Sequence, residues 1–421
     1  MANPLIPITR RAALTFAFFL VMYEFLTYIA NDMILPGMLH VVQSFHAPET
    51  AVATSLTMYI LGGASLQIFL GPLSDTYGRR PLMLLGAALF FGFTLLIAFS
   101  NSMDQFLIAR FFQGTGLCFI CVIGYATIQE IFAEMDAIRL IAIMANAAIL
   151  APLLGPLLGA FVIHYYSWRY IFIMIALAAL VAFWGLWRYM PESLGQQKTT
   201  GEFIAKTPFS FTRIMQNYKA LFTDKCFCYC SLALALVGVP CIAWIALAPI
   251  IMIAEGKLTV MQYGLWQLPI FGATILGNWT LHYLTYRFKL KSIICIGSII
   301  VAIGALLSAL LPYFYGNDYK LLLPGIILYF FALSIVSAPL NRYCLYITKI
   351  SKGTASAVIS LSVMLIGALG IEIANYTYKH NNFNFGLYCI IISLCVLLFI
   401  FLNFNKRNQL DLIIDDEIIN C

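Results

Sequence analysis

The strongest constraint on this chain is a series of apolar runs, most of them about 20 residues or a little longer, that repeats from end to end with almost no charge inside. Bounded by Gly, Pro and charged residues, the runs fall near 13–36, 50–71, 81–99, 104–126, 138–163, 168–190, 224–253, 262–284, 291–312, 321–345, 354–376 and 384–404. About 20 apolar residues in a helix cross the hydrocarbon core of a bilayer, so the pattern predicts an all-α membrane protein with twelve transmembrane helices. Water fails as the solvent, because 62% of the residues are hydrophobic and 10% charged, against about 25% charged in soluble domains. A membrane β-barrel fails too, since its strands alternate apolar and polar residues.

The longest connection falls between the sixth and seventh runs and divides the chain in two. Residues 1–190 read as an N-terminal six-helix bundle, 191–223 as a cytoplasmic linker, 224–405 as a C-terminal six-helix bundle and 406–421 as a cytoplasmic tail. Within the linker, Phe209, Phe211, Ile214, Tyr218 and Leu221 recur at loosely helical spacing, which suits a helix lying at the lipid interface. With the N-terminus inside, 19 of the 24 Lys and Arg residues reach the cytoplasmic face; Arg169, Lys257, Lys320 and Lys379 fall outside and Arg110 within a span. The positive-inside rule therefore places both termini of a multi-pass chain in the cytoplasm. The net charge of +6 follows from this topology and calls for no nucleic acid. Arg10 and Arg11 precede a run too long, and with Glu24 and Asp32 too charged, for a cleavable signal.

Chemistry of other classes finds few residues to work with. Cys226, Cys228 and Cys230 form a C-x-C-x-C run without an accompanying histidine or carboxylate, so no metal centre is expected. His40, His46, His164 and His380 fall at outer loops or span ends and His282 near a cytoplasmic end. No nucleophile has a histidine partner, so the chain is expected to have no catalytic residues, no cofactor and no enzymatic activity.

Five ionisable residues stand at or near membrane depth, where a charge costs at least about 3 kcal/mol and is rarely kept without a use. Glu24 is central in the first run, Asp32 is eight residues further on, Arg110 is in the first half of the fourth, and Glu372 is in the eleventh. Glu130 is expected at the end of the fourth span remote from the cytoplasm. Eight residues along a helix amount to about 12 Å and a turn of about 80°, so Glu24 and Asp32 can line one cavity at different depths. Burial raises a carboxylate's pKa and a nearby arginine lowers it. A carboxylate balanced between the two effects can exchange protons near neutral pH. The fifth run carries Pro152, Gly155, Pro156 and Gly159, a combination that predicts a bent helix with a closely packed face.

These segments resemble the twelve-span drug:proton antiporters of the major facilitator superfamily. Gly71-x-Leu73-x-Asp75-x-x-Gly78-Arg79-Arg80 is similar to the superfamily signature between spans two and three. Arg110-x-x-Gln113-Gly114, Gly155-Pro156-x-x-Gly159 and Asp32-x-x-Leu35-Pro36-Gly37 resemble the motifs of spans four, five and one. Thr76 and Ala160 depart from the usual Arg and Gly. The resemblance implies a major facilitator fold of two six-helix bundles in the bacterial inner membrane. It implies proton-coupled efflux of lipophilic cationic and neutral compounds, with protons as the coupling ion, by a monomer in contact with membrane lipid. Glu24 and Asp32 would alternate between proton and substrate, tuned by Arg110, with Tyr28 and Asn31 lining the same cavity. Asp75, Arg79 and Arg80, with Gly71 and Gly78, would form a cytoplasmic latch. Gln113, Gly114, Pro152, Gly155, Pro156 and Gly159 would serve gating. A dedicated exporter of one metabolite or siderophore on the same fold is the alternative.

Overall fold

A computed structural model describes residues 4–199, 201, 203–204, 206, 211–348 and 352–405. The predicted tail, 406–421, lies outside the described residues. All regular structure among them is helical apart from two isolated bridges, Pro4 with Phe132 and Gln197 with Phe203.

The helices, in chain order, are α1 (Arg10–Asp32), α2 (Met38–Ser44), α3 (Ala51–Ser65), α4 (Gln67–Tyr77), α5 (Arg79–Ala98), α6 (Met103–Phe119), α7 (Tyr125–Ile131), α8 (Glu134–Tyr165) and α9 (Arg169–Tyr189). After the linker come α10 (Phe211–Thr223), α11 (Lys225–Ala248), α12 (Val260–Thr285), α13 (Leu290–Tyr315), α14 (Leu323–Ile347), α15 (Lys352–Tyr378) and α16 (Asn382–Asn405). Wide π-turns continue α6 through Ile120–Gly124 and α11 through Pro249–Glu255.

Each of the twelve apolar runs coincides with one of these rods. Among the described residues, nine helices are long and apolar enough to cross a membrane, and the α3–α4 pair, bent by 41° at Leu66, makes a tenth. The other two rods are α8 and α12, of 32 and 26 residues, both with proline inside. The apolar character of α12 is diluted by Gln262, Gln267 and Asn278. The chain is a multi-pass membrane protein.

It divides into two compact units, Met1–Ser210 with Lys257–Gln267, and Phe211–Gly256 with Leu268–Cys421. The stretch read as a linker is thus shared, its first part belonging to the first unit and α10 to the second. Caps fix where the long helices start. Thr9 accepts from the Ala12 N–H at 3.3 Å, Ser102 from Gln105 at 3.3 Å, and Asp224 from Cys226 at 3.0 Å and Phe227 at 3.3 Å. Such caps contribute about 1 kcal/mol each.

Inside the first unit, helices meet at glycines. A Cβ on Gly62 would lie 1.9 Å from the Phe111 carbonyl oxygen, and one on Gly114 would lie 2.0 Å from that of Tyr59. Helices α3 and α6 therefore touch backbone to backbone. The second unit uses the same device, with a Cβ on Gly277 meeting the Phe331 oxygen at 2.3 Å and one on Gly386 meeting Ser308 O at 2.3 Å. An extended arm precedes α1. Leu5 donates its N–H to Ile131 O and its carbonyl accepts from Thr199, each at 2.6 Å, while Ile6 is buried.

Candidate functional site

Helix α1 carries both membrane carboxylates of the first unit, and both are buried: Glu24 is 0% and Asp32 6% exposed. The surroundings of Asp32 are set by the glycines of α8. A Cβ on Gly155 would come within 2.7 Å of the Asp32 Cβ, and one on Gly159 within 1.8 Å of the Met33 carbonyl oxygen. Only glycine lets α8 lie this close to the end of α1. The small face predicted for the fifth span is therefore turned onto the residue pair Asp32–Met33.

Arg110 of α6 is 1% exposed. Among the described residues it makes no ion pair. One terminal nitrogen donates to Gln113 Oε1 at 2.7 Å and to Ala30 O at 3.3 Å, and the other to Asn31 Oδ1 at 2.7 Å. Asn31 in turn donates through Nδ2 to Asp32 Oδ1 at 3.2 Å. The asparagine thus stands between guanidinium and carboxylate as a neutral relay. The guanidinium also sits 4.6 Å above the centre of the Tyr59 ring, a cation–π contact that favours the charge without neutralising it. Tyr59 is anchored by its hydroxyl, which donates to Thr27 O. Gln113 completes the chain by donating to Thr94 at 2.9 Å.

Glu24, about two turns earlier on α1, has partners of its own. Its Oε1 accepts from the Tyr125 hydroxyl at 2.8 Å, while Oε2 is buried with no hydrogen-bond partner. Tyr28, one turn further on, is half-buried.

A second charge cluster occupies the α4–α5 corner. Gly78 turns the chain at φ +115°, a conformation open to glycine, and a Cβ there would strike Glu192 Oε2 at 2.5 Å. Arg79 pairs with Asp75 at 2.7 Å and with Glu130 at 2.8 Å, and also donates to Ser74. Glu192 caps the start of α5, accepting from the N–H of Arg79 at 3.0 Å and of Arg80 at 3.1 Å. Ser193 donates to Glu130, and the Arg80 guanidinium to Trp187 O at 2.7 Å. Glu130 was expected at the end of its span remote from the cytoplasm. The structure corrects this: Glu130 stands at the basic α4–α5 corner, paired with Arg79, as the topology itself requires of a fourth span that runs from outside to inside. Gly71 makes only an ordinary contact, with Val122 at 3.7 Å.

The site residues named from sequence thus fall into two clusters within one unit. The sequence reading missed Tyr125, Tyr59, Thr94, Glu192 and Ser193. Glu372 of α15, in the second unit, has a buried Oε1 with no partner.

Twelve membrane-length helices in two units, with carboxylates and an arginine sunk into one of them, define a secondary membrane transporter. The model of the Major Facilitator Superfamily matches residues 20–371, and the chain belongs to that family. It is 44% identical to the Multidrug transporter MdfA of Yersinia pestis bv. Antiqua (strain Angola), over 88% of this chain and 90% of that protein. It is 42% identical to the Multidrug transporter MdfA of Edwardsiella ictaluri (strain 93-146), over 91% and 92%. Among solved structures, a bacterial homolog of the human lysosomal transporter Spinster, inward-facing and unoccupied, superposes with a TM-score of 0.74 at 14% identity, over 94% of this chain and 98% of that one. The xylose transporter XylE of E. coli, in a partially occluded inward open conformation, gives 0.69 at 18%, over 92% and 97%. These two likenesses concern the fold.

Proposed function

We propose that this chain is a proton-coupled multidrug efflux antiporter that exports lipophilic cationic and neutral compounds by alternating access. The observation that carries the reading is the state of the membrane carboxylates. Glu24 is fully buried with one oxygen unpartnered, and Asp32 is separated from Arg110 by Asn31. A carboxylate held away from its counter-charge is available to a proton or to a cationic ligand. The two compete: protonation weakens the site for the outgoing compound, and deprotonation restores it. A ligand shifts the conformational equilibrium only by its differential affinity for the two states, so this competition suffices for exchange. The relatives named multidrug transporters, at 44% and 42% identity, support the substrate class.

In this reading Asn31 is first a relay to Asp32, and Tyr28 lines the cavity beside Glu24. Asp75, Arg79 and Arg80, with Glu130 and Glu192, form the cytoplasmic gate. Gly155 and Gly159 act through their packing on Asp32. The protein works as a monomer in the bacterial inner membrane with both termini cytoplasmic, and protons are its only coupling agent.

The test uses everted vesicles carrying a pH gradient. Adding a lipophilic cation should release protons, and Asp32→Asn or Glu24→Gln should abolish or narrow that response. Unchanged drug-dependent proton flux in both variants would sink the assignment. A compound panel in which a single metabolite alone drives flux would favour the dedicated exporter.

A further inference from the structure

The residue that contacts Glu24 most directly is one that no motif singles out. Tyr125 is the first residue of α7, immediately after the π-turn Ile120–Gly124. A π-turn inserts one residue into a helix, which rotates everything after it by about 100°. After this turn, the Tyr125 hydroxyl donates to Glu24 Oε1 at 2.8 Å across 101 residues of sequence.

Three properties of the contact matter together. Glu24 is 0% exposed and its Oε2 has no partner. The ionisable groups that face it are Tyr125 from α7, Cys121 from the π-turn and Tyr28 from α1, none of them basic. The donor on Oε1 is a neutral phenol. A basic partner would quench the carboxylate; a neutral donor fixes its orientation and leaves its charge.

We infer that Tyr125 is a positioning residue: it pins one oxygen of Glu24 and so presents the other to the cationic centre of a bound substrate or to a proton. The inference rests on the coupling role of Glu24 proposed above and adds the group that aims it. A glutamate side chain free to rotate would meet a cation in many geometries. Pinned at Oε1, it meets it in one.

The experiment is infrared difference spectroscopy, between acid and alkaline pH, on the full chain in proteoliposomes, with tetraphenylphosphonium binding measured in parallel. The protonated-carboxyl band of Glu24 is assigned by its loss in Glu24→Gln. In Tyr125→Phe the band should persist but move to higher wavenumber, as expected for a carboxyl that has lost a hydrogen bond, with the thermal midpoint of unfolding retained. The Kd for tetraphenylphosphonium should rise about tenfold, the size of one hydrogen bond to a charged group. Adding Tyr125→Phe to Glu24→Gln should change nothing further. A band at the wild-type position in Tyr125→Phe overturns the inference, as does an equal loss of affinity with and without Glu24. If the wild-type protein releases no protons on adding the cation while the band moves as expected, the transport reading fails and the positioning role stands.

Discussion

The two charge clusters of the first unit are built on opposite terms. At the α4–α5 corner each carboxylate oxygen of Glu130 and Glu192 has at least one donor. At membrane depth, Glu24 Oε2 and Arg110 Nε have none, and Asp32 takes its one side-chain hydrogen bond from Asn31. Buried polar groups in proteins are nearly always satisfied; each cluster leaves one arginine Nε without a partner, Arg80 at the corner and Arg110 at membrane depth, but of their glutamates only Glu24 keeps a buried carboxylate oxygen unpartnered. The difference separates a cluster that holds structure from one that holds reactive groups in waiting.

That contrast can be broken by experiment, most severely at Arg79. Replacing it with Ala leaves the partly buried Glu130, and Asp75 beside it, without their cation, a loss of up to about 3 kcal/mol. A steep fall in the unfolding midpoint by tryptophan fluorescence is expected, and an unchanged midpoint would remove the corner's structural role. Next in size is Gly159→Val, whose Cβ would fall 1.8 Å from the Met33 carbonyl oxygen. Overpacking of this kind costs about 2 kcal/mol, and displacing α1 at Asp32 should also depress drug-driven proton release. Glu192→Gln keeps an acceptor but loses the charge at the start of α5, so a loss of about 1 kcal/mol is expected. Smallest on stability is Glu24→Gln. It removes an incompletely solvated charge, so the unfolding midpoint should stay level or rise even as coupling is lost. If it destabilises as much as Arg79→Ala, the distinction between the clusters is wrong.

The helices were legible because lipid imposes a single demand, a long apolar rod: each of the twelve runs coincides with a helical rod, and among the described residues ten of these are long and apolar enough to cross a membrane, counting the bent α3–α4 pair as one. Glu24, Asp32 and Arg110 were legible for the converse reason: a charge in such a run stands out against its neighbours. Tyr125 was not, since a tyrosine in an apolar stretch is ordinary and Ile120-Cys-Val-Ile-Gly124 carries no mark of a π-turn. Glu130 was misplaced for another reason: with the N-terminus inside, the fourth span runs from outside to inside, so its end belongs on the face of Arg79 and Arg80, as the pairing of Glu130 with Arg79 shows. Glu192 falls in the connection after the sixth run, and only the fold brings it to the N–H groups of Arg79 and Arg80. Asn31 was read as cavity lining, and the hydrogen bond it accepts from Arg110 depends on the rotation of α1 against α6, which sequence does not give.

The extended arm ahead of α1 has a consequence for biosynthesis. Leu5 bonds to Ile131 on one side and to Thr199 on the other, so its pairing cannot be completed until residue 199 has been made. At ribosomal speeds of about 5 to 20 residues per second, that is a wait of about 10 to 40 s. The first residues translated are therefore among the last of their unit to be tied down.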